Sequence, residues 1–396
     1  MLIQHTPPFH LSYCLNIHRG ESWEENYAAI AEKAAAVAAQ VPHKDDFGLG
    51  LRLSAQAAAH LVANPAAQCE AVELFAQKRL YPFSVNAFPY GRFHAGRVKE
   101  QVYAPDWRTQ ERVTYTNQVA GILAGWLPDG VEGSISTVPG SYKAWIKSDA
   151  DLQLMATNLA AVVKHLVALR NETGRLIHLG LEPEPDCFLE TTAETIHFFK
   201  EVVFTHGVSV LSSALGCSNA EAEAQMRRHL GVCFDTCHTA LQYEDPLEAL
   251  LAYAAEGILI SKVQLSAALR LDSKPEGWKA LRAFNEAVYL HQVKGRDGQG
   301  SIHSWSDLDV ALADEPGLAK MEELRCHFHV PLFFEANGPL RSTASTLTPA
   351  FFAALKSATT HAEIETYTFD VFPAELHPGD IVQSITREFE WVLKRI

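Results

Sequence analysis

The chain has 396 residues, 47% of them hydrophobic, with 33 Lys and Arg against 47 Asp and Glu for a formal net charge of −14. That apolar fraction supports one large core or two domains, since α/β barrels often exceed the usual residues-per-domain figure as a single unit. A surface this acidic disfavours nucleic acid and anionic membranes as partners and leaves carboxylates to spare for a cation.

The first strand-like run is "HLSYCLNI" (10–17), and the helical stretch "SWEENYAAIAEKAAAVAAQV" (22–41) follows it. Ser22 and Glu25 stand at capping-box spacing there. Three more apolar or β-branched runs come next, "FGLGLRLS" (47–54), "PFSVNAFP" (82–89) and "GSISTVPG" (133–140). The long helical segment "DLQLMATNLAAVVKHLVALRNETG" (151–174) ends on Gly174, where a C-terminal cap belongs. Beyond it lie "RLIHLGLEPEP" (175–185), "LGVCFDTCH" (230–238) and "ISKVQLSAAL" (260–269). The helix "TPAFFAALKSATT" (348–360) precedes the last run, "AEIETYTFDVF" (362–372).

Eight strands alternating with helices predict a parallel α/β protein. With no Gly-rich phosphate loop after the first strand, the best reading is a closed (β/α)8 TIM barrel; a doubly wound open sheet is second. Some ninety residues separate the seventh and eighth strands, too many for one helix. They read as an inserted excursion at about 271–360 within a single domain spanning 1–396. In the alternative, 325–335 is the eighth strand and 363–370 lies outside the barrel.

Seven cysteines, odd in number and scattered, fit reduced thiols in a cytoplasmic protein. Cys233 and Cys237 read as small buried hydrophobes rather than a zinc pair. The N-terminus lacks a signal-peptide pattern, and no run is expected to reach transmembrane length.

In such a barrel, chemistry sits at the C-terminal ends of the strands. Four strands end in oxygen donors: Glu182 in "GLEPEP", Asp235 in "CFDTCH", Gln264 in "KVQLSAAL" and Glu365 in "IETYTF". Each also has a structural explanation. Asp235 could cap the helix that follows, Gln264 could be a hydrogen-bonded core amide, and Glu365 could pair with a lysine across the barrel. Glu184, between prolines, reads as a solvated turn residue. Yet three unpaired carboxylates in apolar strands would cost several kcal/mol each, and a divalent cation would neutralise them. Oxygen donors suit Mn²⁺ or Mg²⁺ best, with Zn²⁺ as an alternative. His238 falls in the turn beyond Asp235. His291, His327 and His329 belong to the excursion expected to cover the mouth.

Together "GLEP", "CFDTCH", "VQLSAALR" and "EIETYT" resemble, in order, the xylose isomerase-like TIM barrels, a superfamily of sugar isomerases, ketose 3-epimerases and endonuclease IV enzymes. Within it "SYCLNIHRGESW", "NAFPYGRFH", "EPEPDC" and "KVQLSAAL" are similar to the EboE-type metabolite traffic proteins of bacteria. The resemblance implies Glu182, Asp235, Gln264 and Glu365 as metal positions, with Glu182 and Glu365 as the acid–base pair. It implies His238 and Arg270 beside substrate, as are His291 and His329 in this reading. Two histidines of the endonuclease IV pattern are missing, with Phe83 or Phe88 and Val138 near those places, so no three-metal phosphodiesterase site is expected. Gln264 stands where the superfamily has a histidine and keeps an oxygen donor of lower affinity.

The expected function is a metal-dependent isomerase or epimerase acting on a sugar-like polyhydroxy carbonyl compound through an enediolate or a hydride shift. Trp23, Phe88 and Trp305 are expected to form an aromatic wall. The alternative is a non-catalytic metabolite-binding or traffic protein on the same barrel, working with membrane-associated pathway partners and not itself inserted in a membrane.

Overall fold

The alternation of short apolar strands and capped helices closes into a barrel in the computed structural model, which describes residues 1–91, 99–374, 377 and 379–396. The end of "NAFPYGRFH" (92–94) lies outside the described residues. The eight barrel strands are, in chain order, Pro8–Tyr13, Phe47–Arg52, Leu80–Asn86, Gly133–Thr137, Ile177–Leu181, Leu230–Asp235, Leu259–Leu265 and His361–Ile364. From the second strand on, each pairs in parallel with the next in sequence, and the eighth pairs in parallel with both the seventh and the first. The eighth strand is therefore His361–Ile364, and the 325–335 alternative is excluded.

The first and second strands meet through a single parallel bridge, Cys14 to Gly50. Ser12 stitches the seam, its Oγ donating to the Gly48 carbonyl at 2.7 Å and accepting from the Gly50 amide at 3.1 Å. Glycine is needed at position 50: a Cβ there would lie 2.8 Å from the Tyr13 carbonyl oxygen and run into the Glu363 carboxylate. A strand, Leu2–His5, folds back antiparallel on the first barrel strand and covers its end.

The helix signals hold. Ser22 and Glu25 form the reciprocal capping box of Trp23–Ala29, and Gly174 ends Asp149–Thr173 at φ 73°. The 22–41 stretch is not one continuous α-helix, because a π-turn over Ile30–Ala34 interrupts it. Asp149–Thr173 also departs from expectation: by length and composition alone it is long and apolar enough to cross a membrane. Its apolarity has a local cause. It packs against Gln110–Trp126 on one side and Asn219–His229 on the other, burying Met155, Leu159, Val162 and Val163.

Between the seventh and eighth barrel strands the chain builds a second, antiparallel sheet. Its strand order is Ile302–Trp305, Val293–Asp297, Met321–Cys326, Leu269–Asp272, Leu340–Ser342 and Ala336–Asn337. The run "RCHFHV" thus belongs to this sheet and to the loop leaving it. The Val330 amide bonds to the Ala267 carbonyl at 2.9 Å, and the His327 amide bonds to the Gln292 carbonyl at 2.8 Å. These bonds hold residues 327–330 over the barrel mouth.

Candidate active site

Asp235 is both a helix cap and a site residue. It ends the sixth strand, and its Oδ1 accepts from the amides of Cys237 (2.7 Å) and His238 (3.0 Å) and from Ser266 Oγ (2.7 Å), starting the short helix Thr236–Leu241. Its other oxygen, Oδ2, is buried and has no hydrogen-bond partner among the described residues. Glu182, one residue past the fifth strand, likewise has Oε2 buried and unpartnered. Glu365, one residue past the eighth strand, receives Asn16 Nδ2 on Oε1 at 2.7 Å, with Asn86 Nδ2 at 3.5 Å.

These three carboxylates come together. One oxygen from each of Glu182, Asp235 and Glu365 lies within 4.8 Å of the others, and none of the three residues is more than 4% exposed. Burial, then the nearby Glu365 and Asp235 carboxylates, push Glu182 well above the ordinary carboxylate range. Burial and Asp235 do the same to Glu365. Burial acts on Asp235 too, but His238, His329 and the bond from Ser266 outweigh it and hold Asp235 below the usual range. Three carboxylates this close in a dry pocket cannot all carry charge without a compensating cation. The unpartnered Glu182 Oε2 and Asp235 Oδ2 are oxygen donors of the kind a divalent ion takes, so the residues fit a metal.

Gln264 is paired with Asp235 across the sixth and seventh strands, but its side-chain oxygen is already engaged. Its Oε1 accepts from the Cys233 thiol at 2.5 Å, while its Nε2 is buried without a partner. A nitrogen donor does arrive from elsewhere. His329 donates from Nδ1 to the Glu365 carbonyl at 3.0 Å, its Nε2 has no partner among the described residues, and a ring nitrogen lies within 4.8 Å of an Asp235 oxygen. Burial takes His329 down to about 4, against the pull of Asp235, so the ring is neutral and able to ligate.

Above the carboxylates lies a cavity with roughly 560 Å³ of empty space, open solvent at its mouth included. Phe88, Val102, Tyr103, Tyr289 and Tyr367 give it an apolar wall. Glu184, His238 and His327 form one side, and Asn16 and Asn86 reach it from the ends of the first and third strands. Lys99, at the rim, bonds to the Tyr289 carbonyl at 2.9 Å and to Asp307, tying this edge to the inserted segment.

Several expectations are corrected. Glu184 is no solvated turn residue: it is buried, accepts from Tyr103 Oη at 2.8 Å, and burial raises it to about 7. Arg270 points into the inserted sheet, paired with Glu323 at 2.8 Å, because the chain leaves the barrel at Leu269. His291 lies behind the pocket, bonded to the His327 carbonyl and to Glu286 at 2.8 Å each, so it supports the His327 loop rather than facing a ligand. Of the expected aromatic wall only Phe88 lines the cavity. Trp23 packs on Trp126, and Trp305 donates to Asp314 within the insert. The lysine across the barrel does exist, but Lys262 pairs with Glu363, not Glu365.

Asn16, Asn86, Tyr103 and Tyr367 were not singled out by the sequence reading. Asn16 and Asn86 had a usable signal, since each is a polar residue at the C-terminal end of a barrel strand.

No protein-family description matches the chain, and no curated protein matches it. Solved structures of similar shape include the probable 3-DHS dehydratase AsbF of Bacillus anthracis, involved in petrobactin synthesis. It is 11% identical with a TM-score of 0.49, over 98% of this chain and 100% of its own. The IolI protein, solved with a bound zinc atom, is 13% identical with a TM-score of 0.47, over 98% and 99%. A xylose isomerase domain containing protein from Salmonella typhimurium LT2 is 12% identical with a TM-score of 0.41, over 99% of each chain. Likeness at this level carries no chemistry, which rests on this chain's own residues.

Proposed function

We propose that this chain is a metal-dependent isomerase or epimerase-like protein of the xylose isomerase-like superfamily, acting on a small polyhydroxy carbonyl compound. The observation that carries the reading is the buried cluster of Glu182, Asp235 and Glu365, two of them with an oxygen that has no partner among the described residues, of which Glu182 and Glu365 line the cavity above. In this reading Glu182, Asp235 and Glu365 hold a divalent ion, Mn²⁺, Mg²⁺ or Zn²⁺, with His329 as a further donor in preference to Gln264, whose oxygen accepts from Cys233. When bound, the ion would polarise the substrate carbonyl and stabilise charge developing on its oxygen.

The chain's own residues supply the rest. Glu182 and Glu365 come from strands on different sides of the barrel, so one removes a proton from the carbon beside the carbonyl and the other returns one. Asn16 pins Glu365 Oε1 at 2.7 Å, making Glu365 the fixed member of the pair and Glu182 the freer one. The aromatic wall excludes water from the reacting carbons, while Asn86 and the Tyr103–Glu184 pair present hydrogen-bonding groups to hydroxyls. The EboE-type resemblance and a cytoplasmic location belong to the same proposal, supported by seven cysteines that are all free thiols.

Elemental analysis of protein purified without chelator, beside Asp235→Ala, tests the reading. Near-stoichiometric metal that disappears in the variant is the expected result, followed by a screen of aldoses and ketoses. No metal in either protein, even after Mn²⁺ is added, would leave the carboxylates structural and give the metabolite-binding alternative the lead.

A further inference from the structure

Two histidines at the side of the cavity meet in a way that neutral rings alone do not explain. His238 Nδ1 lies 3.0 Å from the Pro183 carbonyl, which can only accept, so that nitrogen carries the proton. His327 Nδ1 lies 2.7 Å from Gln292 Oε1. The Gln292 amide is oriented by its own Nε2, which donates to the Pro185 carbonyl at 3.0 Å. His327 is therefore also protonated on Nδ1. A neutral imidazole has one N–H, so with both rings neutral the two Nε2 atoms present lone pairs to each other at 3.1 Å, a contact that a proton or a metal ion at that place would relieve. Acceptors that close repel unless something positive lies between or beside them. The Tyr367 hydroxyl reaches His327 Nε2 only at 3.5 Å, the limit of a hydrogen bond.

We propose that His238, His327 and Glu184 form a second cation site, selective for a divalent transition metal and distinct from the carboxylate site on the floor. Ligand atoms of all three residues lie within 4.8 Å of one another, and all three residues are buried. Nitrogens 3.1 Å apart subtend roughly 95° at an ion about 2.1 Å from each, between octahedral and tetrahedral angles. Glu184 gives one oxygen to Tyr103 and, being a carboxylate, keeps lone pairs for a metal.

His238 belongs to this site and not to the floor. Its Nδ1 is 3.9 Å from both Glu182 Oε1 and Asp235 Oδ1, but that nitrogen is committed to Pro183, and the open Nε2 faces His327. Two nitrogens and one carboxylate suit Zn²⁺, Co²⁺ or Fe²⁺, whereas the floor site, three carboxylates with at most one imidazole, suits Mn²⁺ or Mg²⁺ better. Ions at both places would let one substrate bridge them through its carbonyl and a hydroxyl oxygen. The second site uses none of the three floor carboxylates, so it stands or falls separately from the reading above.

The test is Co²⁺ titration of chelator-stripped full-length protein in excess Mg²⁺, followed by visible d–d absorption, for wild type, Asp235→Asn and His327→Gln. Wild type and Asp235→Asn are expected to take up one equivalent with a nitrogen-ligand spectrum, and His327→Gln to bind at least tenfold more weakly. Equal binding by wild type and His327→Gln overturns the site, as does loss of the same single equivalent in both variants. Elemental analysis of the Mn²⁺-loaded proteins separates the two readings: Asp235→Asn that keeps all of the wild-type Mn²⁺ while the Co²⁺ result holds means that the carboxylate reading fails and this one stands. Should His327→Gln not fold, Cu²⁺ EPR of the wild type decides. Hyperfine coupling to two imidazole nitrogens supports the site, and coupling to fewer overturns it.

Discussion

Replacing Glu363 by glutamine should destabilise the barrel by an amount that depends on pH in a defined direction. Lys262 and Glu363 are fully buried inside the barrel, with Nζ 2.7 Å from Oε2 and, among the described residues, one further hydrogen bond from the lysine, to Ser84 Oγ at 3.3 Å. Burial pulls the Lys262 ammonium down, and Glu363 more than compensates, leaving it above the ordinary lysine range. In Glu363→Gln the burial remains and the compensation goes. Breaking such a pair costs about 3–5 kcal/mol. The lysine can escape by folding neutral, which at pH 7 costs about 1.36 × (10.4 − 7), or roughly 5 kcal/mol, and so caps the loss. The variant's Lys262 then has a folded pKa below its unfolded value, and the folded state binds fewer protons than the unfolded one. The penalty should therefore shrink as pH rises, by up to about 1.4 kcal/mol per unit. Lys262→Met leaves a carboxylate instead, so its penalty should shrink as pH falls. The double variant should lose far less than the sum of the two single losses, because no charge remains. Urea unfolding at pH 6, 7 and 8 measures all three. Losses that are independent of pH and add in the double variant would refute the argument and mean that the pair is solvated.

Glu388 is buried, accepts from Thr366 Oγ1 at 2.7 Å and the Leu332 amide at 3.0 Å, and is raised by burial to about 7. A raised carboxyl binds its proton more tightly folded than unfolded, so it should cost roughly 3 kcal/mol of stability as pH climbs from about 4.5 to 7. Glu388→Gln should flatten that part of the stability–pH curve, and an unchanged slope in chemical denaturation would count against it. Gly231→Ala should lose at least about 1–3 kcal/mol, because its Cβ would meet the Leu259 carbonyl oxygen and the Leu259 Cβ of the paired strand; a urea midpoint like that of wild type would sink this. For the floor site, His329→Ala should weaken Mn²⁺ binding about tenfold or more and Gln264→Ala much less, measured by calorimetry, and the reverse order would return Gln264 to the ligand set.

The barrel was legible because its strands are short, apolar and separated by capped helices, and because one rule locates chemistry at their C-terminal ends. That rule found Glu182, Asp235 and Glu365 through the energetic oddity of acids in apolar runs. It also applied to Asn16 and Asn86, but a neutral amide at a strand end raises no comparable alarm, and both passed unnoticed. Asp235 shows why the choice between cap and ligand was open from sequence: a carboxylate has two oxygens, and the fold gives Oδ1 to the helix and leaves Oδ2 bare.

What stayed hidden was set by the inserted segment, whose strands are too short for periodicity to reveal their pairing. Arg270 follows the seventh strand by five residues, close enough in sequence to suggest the pocket, yet the turn into the insert at Leu269 carries it to Glu323. The same insert brings His327 and His329 over the mouth from some sixty residues downstream of the seventh strand. By closing over Glu184 it turns a residue between prolines, which reads as solvated, into a buried acid. A barrel end without that cover would leave the floor carboxylates wet and individually tolerable. With it they are dry, close and short of partners, and the protein must neutralise them with a cation or with protons.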